Sequence, residues 1–275
     1  MPISISGAHR FKLREVRVPI PHLPYSFDGL RIVHISDIHA GSFFEKHSVK
    51  KGVRKVREQA PDLIFFTGDL VNKATKEIDD HFKALSQLQA PLGTFSILGN
   101  HDYGDYVHWP SQGKKRENLL DMVEAHRRLG WELLLNEHKM IHLGDGSMAV
   151  LGVENWGEGR FSKYGRLNEA YKGSGDADVK LLLTHDPSHW EARVLPDRPD
   201  IDVTFAGHTH GFQFGLELGP FQWSPIPARY DQWAGLYELN GQYLYVNRGF
   251  GYMMNVPFRV GIYPEITVME LVRKL

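Results

Sequence analysis

No cysteine occurs in the 275 residues, which excludes disulfides and thiolate metal sites. That absence leaves the redox compartment open, since a cysteine-free chain suits reducing and oxidising surroundings equally. No apolar run approaches the length of a membrane span, and Met1 to Arg17 lacks the apolar centre of an export signal. The formal net charge is only -1, so no overall electrostatic pull toward nucleic acid or an anionic membrane is expected. Internal repeats, low-complexity tracts and linker-like stretches are also missing. What is present, 42% hydrophobic and 12% aromatic residues with 24% charged, suffices for one sizeable core. A single domain over 1–275 is expected, with 1–27 as its N-terminal strand and lead-in.

The remaining pattern is strand, turn and helix, repeated. Phe11 to Val18 alternates apolar and charged residues, as a half-buried strand near an edge would. Arg31 to Ser36 and Asp62 to Thr67 are short apolar runs bounded by turn signals, the mark of central strands. Helical spacing of apolar residues predicts helices over Lys46 to Gln59, Glu77 to Gln89 and Lys114 to Leu129. Gly93 to Leu98 reads as a strand. The second half is richer in strands, at His138 to Leu143, Ser147 to Val153, Val179 to Leu183, Ile201 to Ala206, Trp233 to Leu239, Tyr243 to Asn247 and Glu265 to Leu271. A layered α/β architecture follows.

Five short segments carry metal-binding side chains, and each begins where a strand's apolar run stops. They are Asp37-Ile38-His39, Gly68-Asp69, Gly99-Asn100-His101-Asp102, Thr184-His185-Asp186 and Gly207-His208-Thr209-His210. Open α/β sheets present ligands at the carboxyl ends of their strands, so these groups can converge there. Asp37 and His39, two apart in extended chain, share one side and can grip one ion. Gly68 permits a sharp turn before Asp69, whose two carboxylate oxygens can bridge two cations. Asn100 offers a carbonyl oxygen, and His185, His208 and His210 offer imidazole nitrogen. Nitrogen and oxygen donors without sulfur favour Mn, Fe, Zn, Co or Ni over Ca. The other histidines fit no ligand spacing; His34 and His189 read as supporting or core groups.

Complete and in order, these segments resemble the fingerprint of the calcineurin-like metallophosphoesterases. The resemblance implies an α/β/β/α sandwich of four layers, two mixed β-sheets flanked by helices. It also implies a dinuclear metal centre: Asp37, His39, Asp69 and His210 for one ion, and Asp69, Asn100, His185 and His208 for the other, with Asp69 as the bridge. His101 is implied to face the scissile phosphate. The C-terminal pattern, Arg248-Gly249-Phe250-Gly251 followed by Pro257-Phe258-Arg259 and a strand opening at Glu265, is similar to a bacterial YkuE-like and YaeI-like branch. That branch includes pyrophosphatases acting on UDP-2,3-diacylglucosamine. Its members often carry a membrane segment or export signal, and this chain begins close to where such a segment would end.

The implied activity is a metal-dependent phosphoric ester hydrolase. In it a metal-bridging hydroxide attacks phosphorus in line, and His101 assists the leaving group while Asp102 orients that imidazole. Arg248 and Arg259 are candidate phosphate clamps, and Tyr103 with its neighbouring aromatics a candidate pocket wall. A phosphate-ester substrate is expected and nucleic acid is not, for want of a basic aromatic track. A lipid-linked substrate would suit the apolar loop Phe250 to Phe258. The basic face of Lys46 to Arg57 is compatible with peripheral membrane contact, in a protein otherwise expected in the cytoplasm. The competing expectation is a non-catalytic scaffold that keeps this fold for protein binding; the full ligand set and His101 weigh against it.

Overall fold

The computed structural model describes residues 10–43, 45–159, 161–218, 221–225, 230–253 and 258–274. Parts of two sequence-expected features therefore lie outside the described residues: 1–9 of the lead-in and 254–257 of the apolar loop.

Two six-stranded sheets and a small hairpin make up the β structure. The first sheet runs in the order β1 (Lys12–Ile20), β14 (Glu265–Arg273), β2 (Arg31–Ile35), β3 (Leu63–Phe66), β4 (Thr94–Ser96) and β5 (Glu132–Leu133). Strands β2 to β5 are parallel, whereas β14 is antiparallel to β2 and parallel to β1. The second sheet runs β12 (Gly235–Leu239), β13 (Gln242–Val246), β9 (Val203–Ala206), β8 (Val179–Leu183), β7 (Gly146–Gly152) and β6 (Glu137–Leu143). Its four inner strands are parallel and both edges antiparallel. Both sheets are mixed, as expected. The hairpin pairs β10 (Leu216–Leu218) with β11 (Phe221–Trp223).

Side-chain alternation along the central strands explains the layering. Ile32, Leu63 and Phe65 point between the sheets and meet Val150, Leu181, Val203 and Phe205 of the second sheet in one apolar cluster. Their neighbours Val33, Ile64 and Phe66 point the other way, onto α1 (Lys46–Arg57) through Val49, Val53 and Val56, and onto α3 (Gln112–Leu129) through Met122 and Leu129. On the outer face of the second sheet, Leu151, Leu182 and Leu244 pack with Leu167 of α4 (Leu167–Tyr171) and with Trp190 and Val194. Continuous apolar runs thus arise because both faces of each central strand are covered.

The helix expected over Glu77 to Gln89 is shorter and broken. A single 3₁₀ turn, Thr75–Ile78, precedes α2 (Phe82–Leu85). Glu77 is the cause: its carboxylate accepts the backbone N–H groups of Asn72, Lys73 and Ala74, folding the chain back into a tight turn. The remaining α5 (Leu195–Asp197) is a single turn. Among the described residues, no helix is long and apolar enough to cross a membrane.

Candidate metal centre

Each motif segment leaves the carboxyl end of a parallel strand. Asp37 follows β2, Asp69 follows β3, Asn100 follows β4, His185 follows β8 and His208 follows β9. Because the sheets face each other, the segments from both end on one rim of the sandwich. The backbone there is bent hard: Asp37, His39, Asp69, His208 and His210 all have φ between 47° and 70°, a region non-glycine residues rarely adopt. Each such residue costs roughly 1–3 kcal/mol and persists only where surrounding contacts enforce it. Here the enforcement is visible. Asp37 and His39 donate backbone N–H groups to Gly68 and Asp69 carbonyls, and the His208 N–H donates to the Asp37 carboxylate. Gly207 lies so close beneath this loop that a methyl group would overlap the Ser36 hydroxyl and the Asp37 carboxylate.

Two groups of donors result. Asp37, His39 and His210 offer one set of converging ligand atoms, and Asp69, His185 and His208 another. In the first, His39 Nε2 lies 3.0 Å from His210 Nε2, and His210 Nε2 lies 3.2 Å from Asp37 Oδ1. In the second, His185 Nε2 lies 3.2 Å from Asp69 Oδ2, 3.1 Å from Asn100 Oδ1 and 3.1 Å from His208 Nδ1. Asp69 Oδ2 is also 3.6 Å from His39 Nε2, so this carboxylate stands between the groups. Such separations match the edges of a coordination polyhedron, about 3.0–3.4 Å when metal–ligand bonds are near 2.0–2.2 Å. Acceptor atoms crowded at these distances repel one another unless a cation lies among them.

Electrostatics fit the same picture. Burial drives His39 down to about 3 and His208 down to about 4, so both rings are neutral with a lone pair to give. Burial alone would lower His185 too, but the Asp69 carboxylate outweighs it and holds that imidazole up at about 10. A divalent cation between them would take the place of that proton. Burial raises Asp69, yet the charges of His185 and His101 hold it well below the usual carboxylate range. The donor set therefore fits two hard or borderline cations.

His101 faces this centre on the rim of the cleft. Its backbone N–H donates to Asp69 Oδ1 at 2.9 Å, and its Nδ1–H donates to the Asn72 carbonyl at 2.7 Å. Since a carbonyl only accepts, Nδ1 keeps its proton and Nε2 is the atom free to work. Asp102, expected to orient the imidazole, instead lies beneath the loop, where its carboxylate accepts the N–H groups of Asp69, Leu70, Val71 and Gly99. Burial and the Asp69 charge push its carboxyl up to about 7 against the Gly99 and Val71 N–H groups.

Three further sequence candidates stand away from the cleft wall. Arg248 is 1% exposed and paired with Glu265 and Glu217, with Gln222 beside it. Arg259 is buried, donating to the Gly249 and Gly251 carbonyls, with its Nη2 3.2 Å from His210 Nδ1. It braces the His210 imidazole from the side away from the other donors' ligand atoms, through that ring's Nδ1. Tyr103 is buried and donates its hydroxyl to Glu154. The cleft, about 410 Å³, is walled instead by Tyr106, Phe161, Phe212, Pro225, Tyr230 and Met253 around His39, Asp69, Asn100 and His101. Tyr106 stacks on His101 with ring centroids 4.2 Å apart, and its hydroxyl accepts from Asn100 Nδ2 at 2.8 Å. Tyr230 sits 2.9 Å from His208 Nε2 and donates to Asp186. Phe161 and Tyr230 lie far from any motif, and no sequence signal points to them.

Residues 30–212, which contain every one of these motif segments, match the calcineurin-like phosphoesterase family. The chain belongs to that family. Among its calcineurin-like phosphoesterase relatives, the uncharacterized metallophosphoesterase YkuE of Bacillus subtilis is 31% identical over 96% of this chain and 86% of its own length. The UDP-2,3-diacylglucosamine pyrophosphatase LpxG of Chlamydia muridarum is 31% identical over 94% of this chain and 88% of its own. A transmembrane protein with metallophosphoesterase domain from Danio rerio is 29% identical; the match covers 97% of this chain but 59% of that relative. The solved sulfate thiohydrolase SoxB of Thermus thermophilus superposes with TM-score 0.51 at 11% identity, covering 90% of this chain and 57% of that one. That likeness shows the fold.

Proposed function

We propose that this calcineurin-like phosphoesterase hydrolyses phosphodiester or phosphomonoester bonds at a dinuclear metal centre, working as one catalytic domain. The observation that carries the reading is the Asp69 carboxylate, 3.2 Å from His185 Nε2 on one side and 3.6 Å from His39 Nε2 on the other. Asp37, His39, Asp69 and His210 would hold one ion, and Asp69, Asn100, His185 and His208 the other. When bound, two such ions supply an acidified water and positive charge for the phosphoryl oxygens.

The chain's own groups supply the rest. His101, with Nδ1–H fixed on the Asn72 carbonyl, presents Nε2 to the cleft. Protonated there, it gives that proton to the departing oxygen as the phosphorus–oxygen bond breaks, and a second proton later restores it. Tyr106 keeps the imidazole face-on to its own ring. The apolar walls contributed by Phe161, Phe212 and Met253 exclude water and suit a substrate whose polar phosphate end adjoins an apolar one. A lipid-linked diphosphate of the UDP-diacylglucosamine type meets that description, and LpxG, similar over most of this chain, is named for such a substrate.

The test is a panel of mono-, di- and pyrophosphate esters assayed with Mn, Fe, Zn and Co, alongside metal analysis. Turnover of bis(p-nitrophenyl) phosphate should fall by roughly 10² to 10⁴ in His101→Ala while metal content stays near wild type. Two bound metals with no hydrolysis of any ester would favour the scaffold instead. Equal rates on a lipid-linked diphosphate and its deacylated analogue would remove the amphiphilic substrate.

A further inference from the structure

Beside the cleft mouth lies an apolar surface of which the chemistry uses only the edge, at Phe212. Phe212, Phe214, Leu216, Trp223, Phe258 and Val260 are each between 44% and 51% exposed. Phe214, Leu216, Trp223 and Val260 are contiguous. Phe214 bridges to Val260, the Phe214 and Trp223 rings lie 6.4 Å apart, and Leu216 faces Trp223 across the β10–β11 pair. Phe212 joins this surface to the cleft, whose wall it also forms.

The surface is built rather than accidental. Phe212 and Gln213 take φ of 59° and 56°, a strained conformation that swings the chain outward directly after His210. Beneath it Trp233, Ala234 and Ile262 form a small buried cluster of their own. Gln213 is buried and its backbone carbonyl accepts from the Val260 N–H, tying the two segments together.

Its charge is one-sided. Across 212–218, 221–225 and 258–263 the sequence holds a single carboxylate, Glu217. That group is 5% exposed and neutralised by Lys12, Arg14 and Arg248. At the border Lys12 is 44% exposed, and Arg10 lies over the Tyr263 ring. Aromatic and aliphatic side chains without an exposed acid, edged by cations, complement an anionic bilayer: rings at the headgroup level, ammonium and guanidinium groups on the phosphates.

We propose that this surface docks the protein on a phospholipid bilayer, with the cleft mouth opening at the lipid headgroups. Its purpose rests on reading the cleft as a site for an amphiphilic phosphate ester; vesicle binding does not depend on that reading.

The experiment uses the whole chain and vesicles of phosphatidylcholine, alone or mixed with phosphatidylglycerol. Wild type should co-sediment with mixed vesicles more strongly than with neutral ones, and its tryptophan emission should shift to the blue. The double substitution Phe214→Ser, Trp223→Ser should weaken binding about tenfold or more, and Arg10→Glu should remove the preference for the anionic lipid. Turnover of a soluble aryl phosphate should be unchanged in both. Absence of wild-type binding, undiminished binding by the double variant, or a wild-type dimer that this variant converts to monomer would each overturn the proposal. A chain that binds vesicles but hydrolyses no ester would keep the surface and lose the catalytic reading.

Discussion

The Asp102 carboxylate lies directly under Asp69, accepting its backbone N–H at 2.9 Å through Oδ2. The same oxygen accepts from Gly99, and Oδ1 from Leu70 and Val71, so one side chain holds two of the five motif loops. Asp102→Asn keeps the shape but turns one oxygen into a donor facing two N–H groups. Stability should fall by on the order of 3 kcal/mol and metal content with it. Thermal unfolding and metal analysis measure both. Full metal and stability combined with a displaced pH–rate limb would mean that Asp102 tunes His101 after all.

Tyr106 touches a proposed ligand and the proposed acid at once, so two substitutions separate its roles. Tyr106→Phe keeps the stack on His101 but removes the acceptor that holds the Asn100 amide, Nδ2 outward and Oδ1 toward His185. Metal affinity should weaken by roughly 10- to 100-fold, with kcat at saturating metal little changed. Tyr106→Ala removes the stack as well and should lower kcat. Metal titrations unaltered in Tyr106→Phe would show that the amide needs no such support.

Arg248 separates structure from substrate binding. Its guanidinium, Glu265 and Glu217 form a buried ion network in which burial raises Glu265 but Arg248 and Arg14 hold it below its usual value. Removing one member of such a network leaves uncompensated buried charge. Arg248→Met should cost roughly 3–5 kcal/mol in denaturant unfolding, while KM for a soluble phosphate ester stays put. A KM raised with stability intact would return Arg248 to the phosphate-clamp role.

The contrast between these residues shows where sequence reasoning reaches. The convergence of Asp37, Asp69, His185 and His208 was legible because strand ends are marked by apolar runs and candidate donor residues by their spacing, both local signals. The central strands and their covering helices were legible for the same reason, apart from the helix at Glu77, where a side chain reaching back to Asn72 overrode helical periodicity; their division into two sheets came from the family resemblance alone. Arg248 was not legible as structural, because its partners Glu265 and Glu217 lie 17 and 31 residues away on separate sheets and meet it only through tertiary packing. The His101 orienting group is a backbone carbonyl, which any residue at 72 would supply. Phe161 and Tyr230 reach the cleft from loops whose path depends on the whole fold.

His126, on α3 against Phe66 and Trp131, gives a pH test of the fold itself. It is fully buried on α3, its Nδ1 2.8 Å from the Ser96 hydroxyl, and burial drives it from the ordinary 6.5 down to about 3. The unfolded chain therefore takes up this proton first as pH falls. Its contribution is complete above pH 6.5, declines below that and is exhausted once pH passes below about 3, with a loss of about 2 kcal/mol by pH 5. His126→Phe removes the titration while keeping an aromatic ring against Phe66 and Trp131. Between neutral pH and pH 5 the urea unfolding free energy of wild type should drop by about 2 kcal/mol more than that of the variant. Parallel losses in the two proteins would mean that His126 is protonated within the folded state.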